Sequence, residues 1–354
     1  MIVLDGPDTR AALPMTDAIA AAREAMLATA GEQLRQPLRT VIDGGPAGFL
    51  GAMPVCVADP AQPLFAVKTI VVKPANPSRG LPTHNGLVLL FDGDTGLPTA
   101  VADAAAITEI RTAAVSAVAT GALARTGAAS LAVIGTGAQA RTHLEAMLQV
   151  RPITSVQVWG RTPQRATEFA EWARAQFDVR VTVAASPGEA AAGADVVCTV
   201  TASPTPLLSA VAPGTHLNAV GASRPGSREL APALVARCRI IVDSRESAAA
   251  EADDLLLPAE AARRAEAARR AEPATEPGVE PGRPNQSGEG PRRAEIAAEL
   301  GEVLAGRVPG RTGPDEITLF KSVGLAVQDL YAARAAARRA AEAGIGTHVP
   351  MRKG

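Results

Sequence analysis

Residues 130–140 read Ser-Leu-Ala-Val-Ile-Gly-Thr-Gly-Ala-Gln-Ala, and this stretch decides the predicted fold. A short apolar run, typical of a buried strand, leads into Gly135, Gly137 and Ala140 at the spacing G-x-G-x-x-A. At this spacing the first glycine permits a tight strand-to-helix turn, the second lets the backbone approach a pyrophosphate, and the third small residue lets helix and strand pack closely. The next helix would direct unpaired N–H groups at the phosphates. The stretch predicts a dinucleotide-binding turn, although small residues also follow buried strands merely to allow a turn.

The sequence after this turn alternates between helical and extended patterns. Helices are predicted over residues 139–149 and 163–177, and strands over 155–160, 180–184, 196–200, 216–220 and 239–243. With the strand before the turn, this makes six strands separated by helices or loops. Such alternation is typical of an α/β fold with a doubly wound parallel sheet, the Rossmann arrangement.

The end of the second predicted strand bears on the choice of dinucleotide. Domains that prefer NAD usually carry Asp or Glu about 20 residues beyond the glycines, where it binds the ribose hydroxyls. Here Gly160, Arg161 and Thr162 occupy that place, and Arg165 follows one helical turn later. A guanidinium matches a 2′-phosphate in charge and geometry. We therefore expect Arg161, Thr162 and Arg165 to favour NADP(H) over NAD(H), the alternative being that Arg161 is a solvated loop residue.

Composition and length narrow the class of protein. The chain has 354 residues, 47% of them hydrophobic, which predicts about two domains with ordinary cores. Its formal net charge of −1 gives no reason to expect nucleic acid or an anionic membrane as a partner. The three cysteines are isolated, so neither a disulfide framework nor a metal site is predicted. Residues 1–10 lack a signal peptide pattern, and prolines interrupt the uncharged run 196–223, so we expect a cytoplasmic protein without membrane helices.

Residues 258–293 differ in composition from the rest of the chain. The segment carries six prolines and repeated Ala, Arg and Glu, and residues 259–293 contain no aromatic residue, Leu, Ile or Met. Such a sequence buries too little apolar surface to offset the entropy of ordering. We predict a disordered insertion, with a helix over 259–271 or a partner-binding arm as alternatives.

The residues outside the nucleotide-binding region predict a second, discontinuous domain. A helix is predicted over 16–30, extended segments over 39–42, 64–73 and 86–92, and a terminal helix over 317–343 that folds back on them. We therefore assign residues 1–118 and 313–354 to an α+β substrate-binding domain and 119–312 to the nucleotide-binding domain. The nicotinamide would meet its substrate in the cleft between them.

Three cations stand out in this second domain. Arg39 and Arg111 lie in mainly apolar surroundings, and Lys68 alternates with Ala66 and Ile70 in an apolar strand. Lys68 would therefore lie at a strand end or point into a pocket, where partial burial would lower its pKa and let it transfer a proton. Each cation alone could equally form a structural ion pair. Beside a nucleotide-binding fold, the three together predict a site for an anionic substrate.

At these positions the chain resembles the ornithine cyclodeaminase and mu-crystallin family, which includes archaeal-type alanine dehydrogenases and bacterial cyclic ketimine reductases. The segments that carry the resemblance are 36–41, 53–54, 67–68, 81–84, 90–92, 95–98, 108–114, 135–140, 218–225, 299–302 and 320–324. They cover nearly the whole chain except the predicted insertion. The runs Arg-Thr-Ala-Ala at 111–114 and Gly-Thr-Gly-Ala-Gln-Ala at 135–140 are quite specific.

The resemblance implies roles for particular residues. Arg39 and Arg111 would bind the substrate carboxylate, and Lys68 would contact the substrate and act as acid or base. The resemblance also implies a homodimer formed through the first domain. Residues implied to line the substrate are Ser223 and Val323. Those implied to line the cofactor, besides Gly135 and Gly137, are Thr83, Arg111, Ala138, Gln139, Thr201, Asn218, Ala219, Val220 and Ser322.

Ser223 departs from part of the family. Ornithine cyclodeaminases and the alanine dehydrogenases of this family carry an aspartate at this place, whereas Ser223 cannot act as a base near neutral pH. The run Ala-Ser-Arg-Pro at 222–225 is similar to the mu-crystallin branch, which reduces cyclic ketimines with NADPH. We therefore expect an NADPH-dependent reductase that converts a cyclic imine carboxylate to an amino acid. The alternatives are a cyclodeaminase-type lyase with a retained NAD(P) and a non-catalytic, crystallin-like ligand-binding protein.

Overall fold

Two eight-stranded β-sheets organise the chain, for which a computed structural model describes residues 1–223, 226–255 and 294–350. The predicted insertion at 258–293 lies outside the described residues. The strands are β1 (Ile2–Leu4), β2 (Leu34–Arg35), β3 (Thr40–Asp43), β4 (Phe49–Val57), β5 (Leu64–Val72), β6 (His84–Phe91), β7 (Pro98–Asp103), β8 (Ser130–Ile134), β9 (Ser155–Trp159), β10 (Arg180–Val183), β11 (Val196–Thr199), β12 (His216–Ala219), β13 (Cys238–Val242), β14 (Ile296–Glu299), β15 (Ile317–Lys321) and β16 (Thr347–His348).

Ten α-helices accompany the sheets in the described part of the chain. They are α1 (Gly6–Ala12), α2 (Met15–Thr29), α3 (Ala104–Leu123), α4 (Ala138–Val150), α5 (Pro163–Gln176), α6 (Pro187–Ala191), α7 (Pro232–Val235), α8 (Arg245–Glu251), α9 (Leu300–Leu304) and α10 (Ala326–Ala343). The long helix α3 begins where Asp103 accepts a hydrogen bond from the Ala106 N–H group, and α10 ends at Gly344 in the left-handed conformation. Asp103 is thus an ordinary N-cap and Gly344 an ordinary C-cap.

The sheet formed by β8 to β15 confirms the predicted doubly wound α/β fold. Its strands run parallel in the order β10-β9-β8-β11-β12-β15-β13-β14. All four residues of β11 and all five of β15 are buried, as expected for strands covered on both faces. The strand order reverses between β8 and β11, where ligands of such sheets bind at the carboxyl ends.

The other sheet is mixed and joins the two ends of the chain. Strands β4 to β7 form an antiparallel meander, β1 pairs parallel to β7, and β16 closes the edge beside β1. One face is buried beneath α3 and α10, on which α2 packs in turn, while large apolar side chains remain exposed on the opposite face. None of the described helices is long and apolar enough to cross a membrane.

The helix predicted for residues 317–343 is wrong at its beginning. Ile317–Lys321 is strand β15, which inserts between β12 and β13, and the helix begins only at Ala326. The polar residues of β15 are satisfied within the fold, since the Thr318 hydroxyl bonds His216 and Lys321 pairs with Asp254. A strand that is buried on both faces lacks the alternation of apolar and polar residues from which a strand is predicted. The parallel sheet therefore has eight strands rather than six, and one of them, β15, lies beyond residue 312. The domain division itself stays a prediction.

Candidate active site

The glycine-rich turn between β8 and α4 has the shape that a dinucleotide requires. Gly135 has φ +129°, and a Cβ there would lie 2.8 Å from the Val200 carbonyl oxygen, so only glycine fits. Gly137 caps α4 without a side-chain hydrogen bond, and a Cβ on it would meet nothing within 4 Å. Gly137 and Ala138 are exposed, while Ala140 is fully buried against the core. The open cradle in front of the first N–H groups of α4 fits a pyrophosphate.

The residues beyond β9 leave two cations free beside this turn. Arg161, Thr162 and Arg165 are exposed, and neither arginine bonds another described residue through its side chain. Gly160 brings them close to the turn, because a Cβ on Gly160 would lie 2.6 Å from Cγ2 of Thr136. The guanidinium groups are therefore available to a phosphate, and the preference for NADP(H) stays a prediction.

Lys68 and Arg111 meet at one buried carboxylate, that of Asp329. The Lys68 Nζ atom lies 2.8 Å from Asp329 Oδ2, and Arg111 Nε lies 3.0 Å from Oδ1. Arg111 also donates to Gln328 Oε1 at 2.7 Å, and Lys68 donates to Thr108 Oγ1 at 3.2 Å. Of the two placements predicted for Lys68, a strand end or a pocket, the structure shows a buried one, since only 4% of the residue is exposed. Strand β5 and helix α3 thus supply two cations that contact one anion on α10.

Burial controls the charges of this cluster. Burial lowers the pKa of Lys68 to about 8, Asp329 opposes this change, and the cations Arg111 and Arg39 reinforce it. Burial alone would raise the pKa of Asp329, but Arg111 and Lys68 outweigh it and the carboxyl pKa is lowered. Asp329 is therefore an anion at neutral pH, and Lys68 can lose its proton at mildly alkaline pH.

Arg39 approaches the same cluster from the segment between β2 and β3. Its Nη2 atom donates to the Val323 carbonyl oxygen at 2.6 Å, and its Nε atom pairs with Glu251 at 2.7 Å. Gly324 separates it from Arg111, since a Cβ on Gly324 would lie 2.8 Å from both Nη atoms of Arg111. The three predicted cations therefore lie in one cluster, because Arg39 and Arg111 adjoin the loop 322–324 and Lys68 shares Asp329 with Arg111. Nη1 of Arg39 makes no hydrogen bond with a described residue, although the other guanidinium nitrogens are engaged.

Asp243 fixes that loop from beneath. Its Oδ2 atom accepts hydrogen bonds from the Ser322 hydroxyl at 3.1 Å and from the N–H groups of Val323 and Gly324 at 2.9 and 2.8 Å. Burial raises the pKa of Asp243, and these hydrogen bonds oppose the rise. Ser322 is itself buried and its hydroxyl supports the loop, so its predicted contact with a cofactor stays a prediction. Val323 is buried at the cluster, facing Arg39 through its carbonyl group.

Gln139 connects the nucleotide turn to the cationic cluster. Its Nε2 atom donates to the Thr108 carbonyl oxygen at 3.4 Å, and the Thr108 hydroxyl accepts from Lys68. Thr83 lies immediately before β6, where its carbonyl group accepts from the Lys73 N–H group. The turn and the cluster are thus neighbours, as a reaction between a cofactor and a substrate requires.

The remaining predicted cofactor residues lie at the carboxyl ends of β11 and β12. Thr201 follows β11, Ala219 and Val220 end β12, and Ser223 is half-buried in the next loop. Asn218 is different, because its side chain is fully buried and donates to the Thr120 hydroxyl at 2.9 Å. The predicted place of Asn218 beside the cofactor therefore stays a prediction.

Sequence reasoning missed the carboxylates Asp329, Asp243 and Glu251. The predicted helix begins nine residues too early. The sequence therefore does not indicate that Asp329 lies on the buried face of the first turn of α10. Among the described residues, no group of three or more His, Cys, Asp or Glu side chains is placed to hold a metal ion.

The arrangement can be compared with known proteins. The family model of the ornithine cyclodeaminase/mu-crystallin family matches residues 3–344. The chain belongs to this family. It is 34% identical over 352 residues to a Delta(1)-pyrroline-2-carboxylate reductase of Bacillus cereus, with 99% of each chain covered. It is 39% identical over 302 residues to the ketimine reductase mu-crystallin of Mus musculus, which covers 84% of this chain and 83% of the relative.

A solved structure extends the likeness to the fold. The Delta(1)-pyrroline-2-carboxylate reductase of Thermococcus litoralis, in complex with NADH and L-proline, superposes with a TM-score of 0.84 at 32% sequence identity. The match covers 99% of this chain and 100% of that one. The family resemblance drawn from the sequence motifs is confirmed.

Proposed function

We propose that this chain reduces a cyclic imine carboxylate to the corresponding amino acid with NADPH. Family membership and the likeness to pyrroline-2-carboxylate and ketimine reductases make it an NAD(P)-dependent oxidoreductase that acts on C=N bonds. The ring size of the substrate and the preference for NADPH are the parts that belong to the proposal.

The observation that carries the proposal is the clustering of three cations around Asp329 and the loop 322–324. Arg39, Lys68 and Arg111 form ion pairs with only two carboxylates, Asp329 and Glu251. The third nearby carboxylate, Asp243, is held by loop N–H groups and a hydroxyl. The Nη1 atom of Arg39, which makes no hydrogen bond with a described residue, is therefore available to an anion from outside, and the carboxylate of an imino acid supplies it.

Lys68 is the residue best placed to handle the proton. The chemistry that a reduced nicotinamide supplies when bound is hydride transfer to the imine carbon. Lys68, held by Asp329 and Thr108, can protonate the imine nitrogen or keep it as an iminium ion. A pKa of about 8 keeps the ammonium largely protonated at neutral pH yet ready to give up its proton. The arginines would bind the carboxylate and hold the C=N bond in place.

Ser223 favours reduction over cyclodeamination. Reduction of an imine needs a proton donor and little general-base strength, so a hydroxyl at this place is tolerated. Release of ammonia from ornithine without net consumption of NADPH would instead support the lyase. A non-catalytic role would be supported by nucleotide binding without oxidation of NADPH by any imine.

The decisive experiment is a screen of NADPH and NADH oxidation by the purified protein. Its substrates are cyclic imine carboxylates with five- and six-membered rings, acyclic 2-oxo acids with amines, and pyruvate with ammonia. We expect the cyclic imines to be reduced fastest. Faster reduction of pyruvate with ammonia would overturn the proposed substrate class and favour an amino-acid dehydrogenase.

The cofactor preference has its own test, because the structural relative was solved with NADH. We propose that Arg161 and Arg165 bind the 2′-phosphate of NADPH. Replacing Arg161 by Ala should weaken NADPH binding about tenfold, which corresponds to about 1.4 kcal/mol, and leave NADH binding nearly unchanged. Equal affinity of the wild-type protein for NADH and NADPH would contradict the preference.

We also propose that the protein forms a homodimer through the exposed face of the mixed sheet. That face presents a cluster of large apolar side chains, which is unusual for a monomer. Phe65→Asp should shift the mass measured by light scattering from dimer to monomer, whereas a monomeric wild-type protein would refute the proposal. The exposed residues on this face are Ile42, Leu50, Phe65, Val71 and Leu87.

A further inference from the structure

The carboxylate of Glu229 lies fully buried beneath the carboxyl ends of β11 and β12. It accepts hydrogen bonds from two separate segments of backbone as well as from two hydroxyl groups. Its donors are the Thr199 hydroxyl at 2.9 Å, the Thr201 N–H group at 2.6 Å, the Thr201 hydroxyl at 2.7 Å, the Gly221 N–H group at 2.8 Å and the Ala222 N–H group at 3.3 Å. One side chain thus joins the loop after β11 to the loop after β12.

The two loops also touch directly, which leaves little room for another arrangement. A Cβ on Gly221 would overlap the carbonyl oxygen of Thr201 and would lie 2.7 Å from Glu229 Oε1. Glycine is therefore needed at this position for the two backbones to approach. The carboxylate and the close contact fix the spacing of the two loops together.

Glu229 is itself anchored to the strand that leads into the cationic cluster. Asp254 Oδ1 accepts hydrogen bonds from the N–H groups of Glu229 and Leu230 at 2.8 and 3.0 Å. Its Oδ2 atom pairs with Lys321 at 2.9 Å, and both members of this pair are fully buried. Lys321 directly precedes the loop 322–324. The network therefore connects the carboxyl ends of three neighbouring strands, β11, β12 and β15.

We propose that Glu229 is a positioning residue that holds the loops at Thr201 and 220–223 in the geometry that binds the nicotinamide end of the cofactor. The proposal rests on the proposed function for the role of these loops. Ligands of parallel sheets bind outside the carboxyl ends of the strands, where these loops lie. A loop that is already fixed costs little entropy to order on binding, so loosening it weakens binding.

The substitution Glu229→Gln tests this role at constant size. All five partners of Glu229 are donors, and an amide offers only one acceptor oxygen beside an NH₂ group. The NH₂ group of the glutamine would therefore face at least one N–H or O–H donor, and part of the hydrogen bonding that joins the two loops would be lost. The same change at Asp195 provides a matched control.

Asp195 occupies the corresponding place at the opposite edge of the sheet. Its carboxylate accepts from the N–H groups of Ala129 and Ser130 at 2.9 and 3.1 Å and from the Ser130 hydroxyl at 2.8 Å. Asp195→Asn therefore disturbs a similar set of donors at the amino ends of the strands, far from the proposed cofactor. Both variants should lose thermal stability, but only the first should lose cofactor affinity.

The experiment measures the dissociation constant of NADPH by calorimetry, the melting temperature without ligand, and KM and kcat for imine reduction. For Glu229→Gln we expect a dissociation constant and a KM for NADPH raised about tenfold, which corresponds to about 1.4 kcal/mol. For Asp195→Asn we expect both within about twofold of wild type, which corresponds to less than about 0.5 kcal/mol. Thr199→Val removes one donor with little change of shape, so it should raise the dissociation constant about threefold even if Glu229→Gln does not fold.

The outcomes separate this inference from the proposed function. If the wild-type protein binds NADPH and reduces imines but Glu229→Gln and Thr199→Val bind NADPH as tightly as Asp195→Asn, the positioning role is wrong and the function stands. If the wild-type protein binds neither NADPH nor NADH, the proposed function fails and this inference fails with it.

Discussion

Lys68 and Lys321 are both buried lysines paired with one aspartate, yet their surroundings differ in charge. Lys68 lies 2.8 Å from Asp329, and Lys321 lies 2.9 Å from Asp254. Lys68 has the cations Arg111 and Arg39 as its other charged neighbours, whereas Lys321 also acts on the carboxylate of Glu229. Burial and an ion pair therefore do not distinguish a lysine of the candidate active site from a lysine that stabilises the fold. The balance of charge around the lysine does.

This difference predicts what each lysine can do. Around Lys68 the extra cations lower its pKa further. Around Lys321 two carboxylates are available to one ammonium, and burial raises the pKa of Glu229 while Lys321 opposes that rise. We therefore assign proton transfer to the first lysine and support of the fold to the second.

The largest expected effect is on turnover and comes from removing Lys68. Lys68→Ala should lower kcat for imine reduction by about 10²- to 10⁴-fold, the usual contribution of a general acid, while the dissociation constant of NADPH changes little. Steady-state kinetics and calorimetry measure the two quantities. Unchanged turnover would show that Lys68 is structural.

Removing Lys321 should affect stability instead. Lys321→Met leaves Asp254 buried without its partner, which costs about 3 to 5 kcal/mol of unfolding free energy. Denaturant unfolding measures this loss, and kcat of the folded fraction at saturating substrate should stay close to wild type. A loss of kcat as large as that of Lys68→Ala would erase the distinction between the two lysines.

A smaller effect concerns the pH profile. If Lys68 must be protonated to act, kcat/KM for reduction should fall as pH rises through about 8. Asp329 raises the pKa of Lys68, so Asp329→Asn should move this fall to lower pH. Asp254→Asn breaks the equivalent pair at Lys321 and should destabilise the protein without moving the profile. A shift of equal size in both variants would contradict the assignment.

The smallest effect is the pH dependence of stability. The pKa of Lys68 is about 8 in the folded protein and 10.5 as its ordinary value, so the unfolded chain binds more protons between these pH values. The contribution of Lys68 to stability therefore rises with pH across this window. Lys68→Met should remove this rise, which denaturant unfolding at a series of pH values measures against wild type. Parallel curves for the two proteins would indicate that burial does not perturb Lys68.

The sequence predicted the features that depend on neighbouring residues. The turn at Gly135 and Gly137 and the parallel sheet could be predicted because each depends on a short run of residues, and the pattern around Lys68 included burial as one of two placements. The family motifs pointed to the three cations, which the fold brings into one cluster.

The partners of those cations could not be predicted in the same way. Asp329 lies 218 residues from Arg111, and Asp254 lies 67 residues from Lys321, so no local pattern links them. The sequence predicts a helix in place of β15 because a strand buried on both faces lacks alternation. The hydrogen bonds from the Ser322 hydroxyl to Asp243 and from Asn218 Nδ2 to the Thr120 hydroxyl also join residues far apart in the sequence.

The short link between β15 and α10 has a mechanical consequence. The described residues join the two sheets along the chain at only two places, α3 and the four residues 322–325. The second connection bears the groups that contact Arg39 and Arg111. Any change in the angle between the sheets would therefore move the loop 322–324 relative to Arg39 and Arg111, so a ligand held by both the loop and these arginines should restrict that motion.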